Sequence, residues 1–301
     1  MGNPVELHCG GATARLLPAA GGRISALRLV RPAGGAVDVL HPYPEDFFDP
    51  IRWAKGGIYP LLPYSNRISN ANVQVNGETV ALLAHPDAAP HTLHGNAHAQ
   101  PWQTLGSDAS SAVLALDSAP SAAWPWRYRA RMRVELAPTE LVVRIEMRNA
   151  DTRVMPAGIG LHPYFRHQHE ARLMYHATAV WPPTPGFLAD VPRLPQAGES
   201  YTPARTLPAG GLTHYVGGWD GTVEVDLPEG ARLRMVADAA FGHMVVHRPD
   251  TMAYLCLEPV SHVADGFNLA ARGVADTGTR LLAPGESMGG VIRLQLLGDA
   301  A

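Results

Sequence analysis

Cysteine is nearly absent from this chain. Cys9 and Cys256 are the only two in 301 residues, so no disulfide framework is implied. Charge is sparse as well: charged residues make up 17% and the formal net charge is −3. That balance supplies no broad basic surface, so neither nucleic acid nor an anionic membrane is expected as a partner. No stretch approaches the roughly 20 apolar residues of a membrane span. Met1 to Gly10 lacks the basic-then-apolar layout of a signal peptide, and Glu6 stands where myristoylation wants Ser or Thr. The expected location is cytoplasmic. Long helical periodicity is missing too, and so are G-x-S-x-G, CxxC and HExxH. Nucleophilic serine chemistry and the common zinc frames therefore have no signature here.

What is present is punctuation and alternation. Glycine (30) and proline (27) break the chain at short intervals, and between them lie runs such as RYRARMRVEL, ELVVRIEMRN, TVEVDL and ARLRMVAD. In Arg127 to Leu136, Tyr128, Ala130, Met132, Val134 and Leu136 share one face, while arginines and Glu135 take the other. A period of two predicts a half-buried antiparallel strand with a wet outer face, and it accounts for the arginines of Arg127 to Arg148 as solvated sheet surface. Many short strands with turn signals and no linker predict an all-β fold, one large antiparallel β-sandwich spanning 1–301 as a single domain.

Four polar constellations stand out from this background. GIGLHPYFRH pins His162 between glycines and a proline, a way of fixing backbone and aiming a side chain. PYSNRIS places Asn66 and Arg67 after a turn-rich stretch. HTLHGNAH spreads His91, His94 and His98 around Gly95 and Asn96; these histidines straddle a turn, and neither they nor HQHE (His167 to Glu170) match a recognised ligand frame. In YLCLEPVSH, Tyr254, Cys256 and Glu258 share one face of an apolar strand. Burying a lone carboxylate is costly, so Glu258 is either paired or beside a cleft. Cys256 reads most simply as core.

The order PLLPYSNRI, HTLHG with Trp102 after it, GIGLHPYF, GWDG, CLEP with DGFN following, and LAPGES resembles the aldose 1-epimerase (galactose mutarotase) family. The matched pieces run from about Gly57 to Ser287. The resemblance implies a large galactose mutarotase-like β-sandwich with a sugar cleft on a concave face. It also implies Glu258 as general base, His162 as general acid, and Arg67 and His94 as holders of sugar hydroxyls and ring oxygen. Asn66 and Thr213 join them as substrate-binding candidates. Such chemistry requires proton transfer alone, with no cofactor and no metal. Phe165, Tyr164 and Trp102 offer either stacking surface or core.

One departure separates this chain from the family's pattern. An aspartate usually precedes the GWDG hairpin, whereas here Thr213 and His214 occupy that place; Asp220 is expected to belong to the turn. Losing a charged acceptor changes which hydroxyls can be recognised, so galactose or glucose is only a default substrate. A hexose-6-phosphate 1-epimerase, with Lys55 or Arg166 meeting the phosphate, is the alternative enzyme. A carbohydrate-binding sandwich without turnover is the alternative outside catalysis. A small-molecule sugar is the expected partner, and the chain is expected to act as monomer or homodimer.

Overall fold

Alternation in the sequence becomes burial in space. In the strand Tyr128–Ala137 the alternate residues Tyr128 to Leu136 are buried. The arginines between them face solvent, where Arg127 and Arg129 both bond Asp117, at 2.7 and 3.1 Å. The computed structural model describes residues 3–44, 48–167, 171–250 and 254–299. Gln168, His169 and Glu170 of the HQHE stretch lie outside the described residues.

The order of elements is almost wholly strands. The first part runs β1 (Val5–Cys9), β2 (Ala12–Leu17), β3 (Arg23–Val30), β4 (Ala36–Asp38), β5 (Ile58–Leu61), β6 (Asn72–Val75) and β7 (Glu78–Ala81). It continues as β8 (Gln103–Ser107), β9 (Ser111–Ser118), β10 (Tyr128–Ala137), β11 (Glu140–Asn149), β12 (Met155–Ala157), β13 (Gly160–Arg166) and β14 (Arg172–Trp181). The last part is β15 (Arg205–Thr206), β16 (Leu212–Asp226), β17 (Ala231–Ala237), β18 (His243–Arg248), β19 (Tyr254–Val260), the short helix α1 (Gly266–Ala271), β20 (Arg280–Leu282) and β21 (Ser287–Asp299). Seventeen strands join in one hydrogen-bonded sheet, with β6–β7 and β12–β20 as separate pairs. The fold is all-β and antiparallel, as the punctuation and alternation predicted. Among the described residues no helix is long and apolar enough to cross a membrane.

One belt of this sheet, β5–β13–β19–β18–β16–β14, positions the site. Its register lines up side chains across strands that are far apart in sequence. Tyr59 stands opposite His162, Glu258 opposite Val245, Val245 opposite Tyr215, and Tyr215 opposite Trp181. Gly160 opposite Val260 and Tyr164 opposite Cys256 bring His162 and Glu258 to the same level. A second row runs Tyr164, Cys256, His247, Thr213. The other face of the belt carries Leu161, Phe165, Val216, Val246, Leu255 and Leu257 into the main apolar core. That is why Phe165 is core and not sugar surface, and Trp102 belongs to the same cluster.

The GWDG stretch departs from the expected hairpin. It lies inside the fifteen-residue strand β16. Tyr175 pairs with Val223 and Ala177 with Trp219, so Asp220, Gly221 and Thr222 bulge against His176 alone. Before the bulge β16 pairs with β18; after it, with β17. A bulge bends and twists the strand that carries it, which lets one strand serve both neighbours. Asp220 accepts the Thr222 N–H at 2.9 Å inside this bulge and does not reach the site.

Candidate active site

The two transverse rows, Trp181 and Cys256 apart, line a cavity of about 190 Å³. All six residues singled out in the sequence line it: Glu258, His162, Arg67, His94, Asn66 and Thr213. His162 and Glu258 are 5% and 3% exposed, and His162 Nε2 lies 3.3 Å from Glu258 Oε1. Neither His162 Nδ1 nor Glu258 Oε2 has a protein partner, so the contact between the two rings off one donor and one acceptor from everything else. Burial raises the Glu258 carboxyl to about 8, against a smaller opposing pull from the Arg67 guanidinium. Burial, followed by the Lys55 charge, pushes the His162 imidazole well below its ordinary value. Burial thus favours the uncharged form of both groups, the reverse of what free side chains would show.

The loops around this pair are braced through the backbone. The Asn66 N–H donates to His94 Nδ1 at 3.0 Å, and the Arg67 N–H donates to Asn66 Oδ1 at 3.0 Å. With Nδ1 accepting and burial disfavouring the charged ring, His94 keeps its proton on Nε2 and is a neutral donor. Asn66 and His94 hold left-handed backbone conformations, φ 59° and 60°, which turn both loops toward the cavity. The Arg67 guanidinium sits 4.9 Å above the Phe187 ring. Phe187 in turn accepts the Tyr215 hydroxyl through its carbonyl at 2.8 Å.

Gly158 has a different task from the one its sequence context suggests. A Cβ there would meet the His262 ring at 2.2 Å. His262 Nε2 accepts the Ser65 N–H at 3.2 Å, which anchors the loop carrying Asn66 and Arg67. The glycine thus clears space for the histidine that anchors the loop of Asn66 and Arg67. His91 spends Nδ1 on the Asn70 N–H at 3.0 Å, and His98 packs on Trp53 at 4.5 Å between ring centres. The three histidines of HTLHGNAH do not converge. The grouping of metal-capable donors among the described residues is instead His162, Cys256 and Glu258, whose donor atoms lie within 4.8 Å of one another.

Residues 11–295 match the family model described as aldose 1-epimerase. The chain belongs to the aldose 1-epimerase family. The uncharacterized protein YphB of Escherichia coli K12 is 27% identical over 244 residues, covering 76% of this chain and 80% of that one. The GalM/aldose epimerase homologue of C. elegans superposes with a TM-score of 0.82 at 15% identity, over 99% of each chain. The galactose 1-epimerase of Lactobacillus acidophilus NCFM gives 0.79 at 14% identity, over 99% of this chain and 95% of that one. At such identities these structures speak for the shared fold.

Of the two residues that stand where an aspartate was expected, Thr213 and His214, Thr213 faces the cavity. Its hydroxyl pairs with His247 Nδ1 at 2.9 Å, and both residues line the cavity. His214, next in sequence, lies outside the lining, with its ring 6.4 Å from that of Tyr201. His247 was not legible beforehand, and neither were Trp53, Tyr59 and Tyr215. Each sits where a strand position reads as core, and only cross-strand register gathers them. Tyr59 and Tyr164 stack on His162 at 4.7 and 4.5 Å between ring centres. Arg166, considered for a phosphate, pairs with Glu229 at 2.9 Å and is not in the lining.

Proposed function

We propose that this aldose 1-epimerase family member interconverts the α and β anomers of an aldose. Glu258 removes the proton of the anomeric O1 hydroxyl. The C1–O5 bond breaks, and O5 leaves with its electron pair to take a proton from His162 Nε2. The open-chain aldehyde turns about C1–C2. O5 then attacks the other carbonyl face, His162 recovers the O5 proton, and Glu258 returns its proton to O1, so the pair ends as it began. Arg67, Asn66 and Thr213 hold hydroxyl groups, and neutral His94 donates toward the ring oxygen.

The observation that carries this reading is the isolated 3.3 Å contact between His162 and Glu258. O1 and O5 share one carbon, so a base and an acid brought to one point of the cavity can address both. The electrostatics support the same cycle. Burial favours the uncharged pair, which is the state the pair reaches once the ring has opened. The charged arrangement that starts the reaction is the less stable one, and ring opening discharges it. Bare binding would gain nothing from a buried carboxylate and imidazole with their remaining polar atoms left unpaired.

The test is anomer exchange followed by NMR on a panel of freshly dissolved sugars. Catalysed exchange of at least one aldose is the expected result. Sugar binding without any exchange would leave a carbohydrate-binding protein and remove the epimerase reading.

A further inference from the structure

Of the 24 lysines and arginines all but one are arginine: Lys55 is the only lysine in 301 residues. That one ammonium group stands at the mouth of the catalytic cavity, with Nζ 4.6 Å above the Trp53 ring. The backbone beside it is held tightly. Gly57 has φ +69°, and a Cβ there would meet the Ile24 carbonyl oxygen at 2.4 Å. Among the described residues neither Lys55 nor Arg67 forms an ion pair with a carboxylate. Asp87, an acid near Lys55, faces Arg52 at 3.6 Å. Behind the lining, Arg23 is fully buried, 4.6 Å from the Tyr59 ring centre, with Nε and Nη2 unpartnered. The lining contains a single carboxylate, that of Glu258.

We propose that the substrate is an aldose bearing an anionic group on carbon 6, and that Lys55 holds that group. The inference rests on the epimerase reading, because it uses the direction in which the sugar must lie. Ring oxygen O5 bonds to C1 on one side and to C5, which carries C6, on the other. With Glu258 at O1 and His162 at O5, the C6 arm leaves on the His162 side. The tyrosines stacked on His162 lead there, and Trp53 packs on Tyr59 at 5.8 Å with Lys55 above it. The Lys55 charge, with His247 and Arg23 behind it, also disfavours a charged His162 imidazole, whereas the Arg67 charge acts on Glu258. Lys55 and Arg67 thus bias different members of the pair. A compact ammonium on a flexible stem suits a phosphate, sulfonate or carboxylate as a point charge. A concave site with excess positive charge draws anions in. Neutral hydroxyls, by contrast, lack here a second carboxylate acceptor.

The experiment is NMR anomer exchange and binding on matched pairs: glucose with glucose 6-phosphate, glucose with glucuronate, galactose with galacturonate. At least one anionic member should exceed its neutral partner in kcat/KM by about tenfold or more, the scale of one modest charge contact. The preference should shrink as salt is added. Lys55→Gln should cut the anionic-to-neutral ratio by about fivefold or more, and Lys55→Arg should restore most of it. Amine-directed acetylation at Lys55, separated by mass spectrometry from reaction at the α-amino group, should mimic Lys55→Gln. Equal or better turnover of the neutral members overturns the inference and leaves the epimerase. A ratio unmoved by Lys55→Gln overturns the role of Lys55. Selective binding of the anionic sugars without exchange keeps the anion site and overturns the epimerase reading; neither binding nor exchange overturns both.

Discussion

Glu258 carries a cost that the proposed role as base would explain. Its carboxyl is raised to about 8 in the fold from an ordinary 4.5. Between those values the folded chain holds a proton that the unfolded chain has lost. Stability from this group is therefore greatest at acid pH, declines as pH rises through that window, and is flat above it. Glu258→Gln removes the ionisation. Its melting temperature should exceed that of the wild type by several degrees near pH 9, with the gap closing near pH 4.5, as followed by thermal unfolding. The same variant should lose on the order of 10²-fold or more in kcat, the scale of a positioned base. A variant that keeps most of its turnover would remove Glu258 from the chemistry. For the wild type, kcat/KM should trace a bell, because two protons on the pair leave no base and none leaves no acid. Its basic limb should fall near pH 8 with the carboxyl, and its acidic limb should lie below the ordinary imidazole range. His162→Asn should be strongly slowed and lose the basic limb: its residual rate should rise as Glu258 ionises and then hold level. An unchanged bell at near-normal rate would pass the acid's role to another group, His94 first.

At the scale of elements, the loop that presents Asn66 and Arg67 depends on a residue far away in sequence. Gly158→Ala places a methyl against the His262 ring at 2.2 Å, so the ring must shift and its bond to the Ser65 N–H must weaken. The expected result is a destabilisation of about 1–3 kcal/mol from overpacking and a rise in KM larger than the fall in kcat. Equal effects on KM and kcat would place the damage at the catalytic pair instead. HTLHGNAH behaves as a brace of the same kind, since its histidines meet backbone N–H groups and aromatic rings. Exhaustive chelation should leave turnover unchanged; loss restored by zinc would place a metal at His162, Cys256 and Glu258, the donors that do converge. These elements also show what a sequence displays and what it hides. Strands such as β10 were legible because burial follows their alternation residue by residue. Glycine and proline around His162, and Pro259 after Glu258, drew attention to both, and the family resemblance supplied their expected roles. The bulge in β16 was not legible, since GWDG has turn composition in either geometry. Tyr59, Tyr215 and His247 were not, because they reach the site only through pairings between strands, such as Tyr59 with His162 and Tyr215 with Val245.

For the whole molecule, the termini are not equivalent. The last strand, β21, lies inside the sheet: it pairs with β11 along Ser287 to Gln295 and with β17 from Ile292 onward. Ile292, Leu294 and Leu296 are buried on its inner face. It is the seam that joins the β8–β11 strands to the belt strands reached through β17 and β16. The first strand, β1, pairs along β2 with one fully buried residue, Leu7. Its outer side adds a backbone bond from the His8 N–H to the Ala109 carbonyl at 2.6 Å. Removing β21 opens two ladders and the core beneath them; removing β1 opens one short ladder at an edge. A chain ending at Glu286 should therefore fail to give a cooperative unfolding transition and should show no anomer exchange. A chain beginning at Gly10 should remain folded, melt a few degrees lower, and keep its exchange activity, because no lining residue of the cavity precedes Trp53. Circular dichroism melts of the two truncations, run beside the NMR assay, decide the matter. A folded, active chain without β21 would show that the belt supports the catalytic rows by itself. A chain without β1 that unfolds would show that this edge strand seals the core it borders.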